Sequence, residues 1–180
     1  MPLASFFRRN PHRSTAHAAY AQIVARAREP AFFLDGAVPD TLDGRFELIA
    51  LHAFLVLNRL KADHAATADF AQELFDAMFA DLDRGLREMG ASDIGVGRHV
   101  KEMAKGFYGR IVAYEHGLAS GDAQLDEALR RNLYGTASPA PEAVAAMVRY
   151  IRLQATALAR ETLDNLLSGQ VKFDRLVVEK

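Results

Sequence analysis

A chain of 180 residues, 50% of them hydrophobic and 25% charged, is long enough to bury one continuous core. Its formal net charge of -1 supplies no global field for nucleic acid or an anionic membrane. Cysteine is absent, which excludes disulfides, thiolate metal sites and a thiol nucleophile and fits a reducing compartment. The apolar residues are chiefly alanine and leucine, β-branched residues are sparse and tryptophan is missing, a palette of helix formers.

Arg8, Arg9, Arg13, Arg26 and Arg28 all precede the first acidic residue, Glu29. Such a stretch marks a transit peptide or a contact with an anionic surface, or else a plain basic tail before an Ala/Arg-rich helix. No signal-peptide apolar region accompanies it, which favours the plainer reading. The first helix is expected over Thr15 to Arg28, with Ala16, Ala19, Tyr20, Ile23 and Ala27 along one face. Pro30 ends it, Phe32 to Leu34 form a short turn, and Asp35-Gly36 and Pro39 close that turn.

Asp40 or Asp43 is expected to cap a second helix running to Ala62. Phe46, Ile49, Ala53, Val56 and Leu60 make one stripe on it, and Leu48, Leu51 and Leu55 another, so the helix is central. The apolar run from Phe46 to Leu57 is far shorter than the ~20 residues of a membrane span and holds Glu47 and His52. A third helix is expected from Thr67 to Met89 with Phe75, Met78, Phe79, Leu82 and Leu86 on its face. A loop from Gly90 to Gly97 leads to a fourth helix, Val96 to His116, capped by Gly117. Asp122 caps a short fifth helix. Pro141 opens a last helix that reaches Ser168 and stops at Gly169, with Val171 to Val178 extended. The fold class is all-α: a single-domain bundle of about six to seven helices. Residues 1–29 supply the basic tail and first helix, 30–168 the helical body and 169–180 a C-terminal tail, all one globular unit.

Catalytic patterns are missing. A di-metal bundle needs Glu-x-x-His on one face; Glu47 and His52 are five apart, and His99 with Glu102 has the reverse order. His52 on an apolar helix reads as a hydrogen-bonded core histidine. Gly95-Val96-Gly97-Arg98 with Lys101 resembles a phosphate cradle only superficially, lacking the strand and the spacing. No metal and no cofactor are expected, and no enzyme activity. Three surfaces suit binding instead. Lys101, Lys105, Tyr108, Val112 and Glu115 share the outer face of the fourth helix, beside a stripe of Gly106, Gly109 and Ala113 that reads as tight packing inside the bundle. Asp81, Asp83, Arg84, Arg87 and Glu88 crowd two turns of the third helix, where a solvated face is the plain explanation. Asp40, Asp43, Arg45 and Glu47 crowd the start of the second; Arg45 opposes the helix dipole there and so requires a partner.

Four ordered blocks carry a family resemblance. Asp43-Gly44-Arg45-Phe46-Glu47-Leu48-Ile49-Ala50-Leu51-His52, continuing to Leu60, resembles the signature of the ubiquinol–cytochrome c chaperone family. Leu74-Phe75-Asp76 with Asp81-Leu82-Asp83-Arg84-Gly85-Leu86-Arg87-Glu88-Met89-Gly90, Phe107-Tyr108-Gly109-Arg110 with Tyr114, and Leu129-Arg130-Arg131-Asn132-Leu133-Tyr134 follow in order. Gly85 and Gly106 stand where better helix formers are expected. The resemblance implies an all-helical, non-enzymatic assembly chaperone of respiratory complex III that binds newly made cytochrome b. It also implies a small helical partner protein and the ribosome as further contacts. The close spacing of the blocks looks like a bacterial member, located in the cytoplasm or peripherally at the inner membrane, with no specific nucleic-acid partner. A scaffold for another helical membrane protein is the competing reading. Partner contacts are expected at Asp43, Arg45, Glu47, Asp81, Asp83, Arg84, Arg87, Lys101, Lys105, Tyr108, Arg110 and Val112.

Overall fold

The computed structural model describes residues 11–88, 90 and 93–177, without the side chains of Asp93, Ile94 and His99. Arg8 and Arg9 of the basic run, the expected helix end at Met89 and Val178 lie outside the described residues. The chain forms α1 (Arg13–Ala27), α2 (Pro30–Leu34), α3 (Leu42–Lys61), α4 (His64–Glu88), α5 (Asp93–Ser120) and α6 (Asp122–Leu129). A π-helical turn (Arg130–Tyr134), α7 (Pro141–Arg160) and α8 (Leu163–Leu167) complete it. No strand occurs among the described residues, and the all-α expectation holds.

Helix α3 is the axis of the bundle, in contact with α1, α4, α5, α7 and the π turn. Leu48, Leu51, Phe54, Leu55, Val56 and Leu60 are buried on several sides of it. His52 is a core histidine, as its apolar setting suggests. Its Nδ1–H donates to the Leu48 carbonyl at 2.7 Å, which leaves Nε2 to accept from the Tyr150 hydroxyl at 2.8 Å. The edges of Phe32 and Phe173 meet the imidazole at 5.2 and 5.0 Å between centroids. Burial pushes its pKa down to about 4.

Several helix ends differ from expectation. Thr41, not Asp40 or Asp43, caps α3: its Oγ1 accepts from the Gly44 N–H at 3.1 Å. Gly44 is obligatory beside this cap, because a Cβ there would stand 2.0 Å from the Pro39 carbonyl. Phe32 to Leu34 belong to a helical turn opened by Pro30, since proline is pre-set for a first helical position. Helix α4 starts earlier, at His64, and the buried Thr67 hydroxyl donates to the Leu60 carbonyl at 2.7 Å, tying α3 to α4. Gly117 lies inside α5 and packs on Leu125, so it admits α6 rather than ending a helix. The boundary glycine is Gly121, at φ 131°, and Asp122 pairs with Arg152 instead of capping. The last helix is two helices: the chain turns extended at Glu161, and Thr162 caps α8.

From Gln170 to Val177 the chain is not helical, yet Val171, Phe173 and Leu176 are buried. Side chains satisfy its backbone. Gln22 Oε1 accepts from Val171 N–H, Gln154 Oε1 accepts from Asp174 N–H at 2.9 Å, and Arg26 donates to the Phe173 carbonyl.

Candidate functional site

The amino end of α3 meets the carboxyl end of α1, the second half of α4 and the first half of α5 around an open groove. Its walls are Phe46 and Ile49 of α3, Met78, Leu82, Gly85 and Leu86 of α4, and Met103 of α5. Tyr20, Arg28, Leu42, Asp43, Arg45 and Asp81 form its rim, and its volume is about 460 Å³. An apolar floor with two methionines and a charged rim suits an amphipathic or apolar helix, because methionine adapts to irregular surfaces. Tyr20 donates to Asp81 at 2.9 Å, joining α1 to α4 at the rim, and Asp81 also pairs with Arg84. Arg45 has the partner its position demands: Asp40, at 2.7 Å.

A second cleft of about 770 Å³ adjoins the first and shares Asp43, Phe46 and Met103 with it. Its polar centre is the Glu47–Arg110 pair, which joins α3 to α5. Arg110 Nε donates to Glu47 Oε2 at 2.6 Å, Nη2 donates to Oε1, and the guanidinium lies 5.9 Å from the Phe46 ring centre. Glu47 is 8% exposed; burial raises its pKa, and Arg110 opposes that rise. Arg131 to Tyr134 of the π turn form the opposite wall. The Tyr114 hydroxyl is buried without a hydrogen-bond partner among the described residues, and its pKa is raised by burial and by Glu47.

The expected contact residues divide into four groups. Asp43, Arg45 and Asp81 surround the groove, and Glu47 and Arg110 meet in the second cleft. Asp83 and Arg87 pair with each other at 2.6 Å on the outer side of α4, next to Arg84. Lys101, Lys105, Tyr108 and Val112 lie on the outer face of α5, where Tyr108 is 59% and Val112 67% exposed. Tyr108 leans on Phe75 at 5.7 Å. Of the small-residue stripe, Ala113 packs against the core as expected, but the two glycines receive no neighbouring helix. A Cβ at Gly106 would meet the Arg110 guanidinium at 2.7 Å, and at Gly109 and Gly85 it would meet nothing within 4 Å. An open glycine inside a helix costs about 1 kcal/mol relative to alanine.

The groove walls escaped sequence reasoning because Phe46, Ile49, Leu82, Leu86 and Met103 sit on stripes that read as core. The available signal was Gly85, a poor helix former set within the apolar face of α4. The π turn had no such signal, although π-helical turns often mark functional positions. The four sequence blocks converge in space. The first two line the groove, while the first, third and fourth line the second cleft.

A family model described as ubiquinol-cytochrome C chaperone matches residues 34–173. The chain belongs to the ubiquinol–cytochrome c chaperone family. The chain is 31% identical over 164 residues to the Xenopus laevis ubiquinol-cytochrome-c reductase complex assembly factor 1, covering 89% of this chain and 80% of that one. Its human counterpart is 28% identical over 162 residues, 89% of this chain and 54% of that one. Protein CBP3, mitochondrial, of Saccharomyces cerevisiae is 29% identical over 79% of this chain and 44% of that one. The chain thus spans about half the length of the human and yeast proteins. A crystal structure of the Cbp3 homolog from Brucella abortus superposes with a TM-score of 0.81 at 34% identity, over 92% of this chain and 91% of that one. The groove lining from Leu42 to Met103 and the whole second cleft fall within the matched residues, and Tyr20 and Arg28 of the groove rim precede them. No helix among the described residues is long and apolar enough to cross a membrane.

Proposed function

We propose that this chaperone-family protein is a non-catalytic assembly factor that receives a hydrophobic helix of cytochrome b during biogenesis of respiratory complex III. The observation that carries the reading is the open groove, apolar on its floor and charged on its rim, built from the first two family blocks. A chaperone for a membrane protein must shield such a helix while remaining in water. A groove lined by Met78, Met103, Leu82 and Leu86 does so without exposing a continuous apolar surface. Relatives named as assembly factors of the same complex support the assignment.

The face of Lys101, Lys105, Tyr108 and Val112 lies outside the groove, so we assign it to a second contact, with a small helical partner protein or the ribosome. Asp83, Arg84 and Arg87 offer a polar contact beside the groove. The site of action is the membrane surface, in peripheral contact. Deleting the gene and measuring complex III against the other respiratory complexes tests the proposal. Selective loss of complex III is expected, and normal complex III under conditions that require it refutes the reading. Co-purification separates it from a scaffold for a different membrane complex, according to whether cytochrome b or another protein dominates.

A further inference from the structure

Gly85 is an unexplained residue in the groove wall. It occupies the interior of α4, where helix propensity disfavours glycine, and a Cβ built on it meets nothing within 4 Å. Its φ is not positive, so backbone conformation does not require glycine. The bundle itself therefore makes no use of the missing side chain. Gly85 lies where the groove opens into a neighbouring cleft between α1 and α4, and both hollows share Tyr20, Arg28, Asp81 and Gly85. The notch is a place where an incoming backbone can approach α4 closely.

The charges around the notch are unequally satisfied. Asp81 is held by Tyr20 and Arg84, Arg45 by Asp40, and Asp43 sits in the first turn of α3, where the helix dipole favours it. Arg28, just past the end of α1, makes no ion pair among the described residues, although it borders the groove and two adjoining clefts. Glu88 of α4 lines one of these clefts with it but forms no ion pair with it, so an anionic group on an occupant of the groove would complement Arg28.

Resting on the proposed function, we infer that the groove selects an apolar helix that crosses α4 at Gly85 through a small residue of its own and carries a carboxylate to Arg28. Helices of membrane proteins pack closely where both partners present small residues, and a leucine at the crossing holds the two backbones apart. Gly85 then sets the client class, and Arg28 sets its orientation in the groove.

Three fluorescein-labelled helical peptides of alanine and leucine test this by anisotropy: one with a Gly-x-x-x-Gly pair and a glutamate, one with leucines for the glycines, and one with lysine for the glutamate. The wild-type protein is expected to bind the first about tenfold more tightly than either other. Gly85→Leu loses that binding with a thermal midpoint no lower than wild type. Gly85→Ala weakens it in the same direction while raising the midpoint, and Arg28→Glu shifts preference to the lysine peptide. Equal affinity of wild type for the three peptides, no binding of any, or unchanged binding by Gly85→Ala and Gly85→Leu overturns the inference. In a deletion strain, Gly85→Leu is expected to leave complex III deficient where the wild-type gene restores it. Rescue by Gly85→Leu sinks the selection by Gly85 while leaving the assembly role intact; a deletion strain with normal complex III sinks both.

Discussion

Replacing Arg110 with leucine removes two charge-assisted hydrogen bonds from Glu47 and leaves its carboxylate 8% exposed among Phe46 and the helix walls. Removing one partner of a buried ion pair costs roughly 3–5 kcal/mol. Arg110 retains 22% side-chain exposure, so water reaches the pair and the lower end, about 3 kcal/mol, applies. For a chain of this length that corresponds to a fall of roughly 6–12 °C in thermal midpoint. Burial already raises the Glu47 pKa above that of the unfolded chain, and without Arg110 the rise has no counterweight. A folded-state pKa above the unfolded value means that stability is present at low pH and lost as pH rises through the folded pKa. The deficit of Arg110→Leu relative to wild type should therefore shrink as pH falls from neutrality toward 5. The double variant Glu47→Leu with Arg110→Leu should recover most of the loss, since no charge is stranded. Denaturant melts of all three proteins at both pH values provide the assay. A pH-independent loss below about 1 kcal/mol would mean that the pair behaves as a solvated one, and the cleft would have no buried polar centre.

Protonation of His52 provides a second measurement: its pKa is depressed in the fold to about 4 from 6.5, so the unfolded chain binds the proton first. Stability should fall as pH drops from 6.5 to 4, by about 3 kcal/mol in total, and His52→Gln should flatten that part of the profile; an unchanged slope would contradict the buried neutral imidazole. Asp83→Asn with Arg84→Gln removes exposed ion pairs worth about 0–1 kcal/mol, so the melting temperature should barely move while complex III assembly is impaired. Full rescue by this variant would make the cluster a solvated face, and a collapsed midpoint would make it structural. Phe54→Asp should prevent folding, because a carboxylate there would lose its hydration in a fully buried apolar site; a soluble variant with wild-type helicity would show that α3 is not the core.

The helices were legible because their apolar residues recur at helical spacing, and His52 because an imidazole on an apolar stripe demands hydrogen bonds. Helix ends were less so. Thr41 and Thr162 cap where acids or continuous helix were expected, since a cap depends on which side chain reaches the amide rather than on charge pattern. Gly117 and Gly121 illustrate the same gap: one glycine admits α6 and the other ends α5, and spacing alone does not separate them. At the candidate site, Glu47 and Arg110 were each visible as polar residues in separate blocks, but a pair 63 positions apart is a property of the packed bundle. The groove was the least legible, because half-covered apolar residues look like core until the neighbours that would cover them fail to arrive.

The segment past Gly169 has a consequence for the order in which the molecule is made. Phe173 closes over His52, and Leu176 lies 3.1 Å from where a Cβ on Gly36 would stand, so residues far apart in the sequence share one core. On a translating ribosome, α1 and α3 emerge early but lack this lid until the chain past α8 has followed them. A nascent chain stalled before residue 170 exposes the Phe32–His52–Tyr150 cluster, and Gln22, Arg26 and Gln154 have no backbone to hold. Truncated products of this gene should therefore be targets for chaperones and proteases themselves, even though most of their helices are intact.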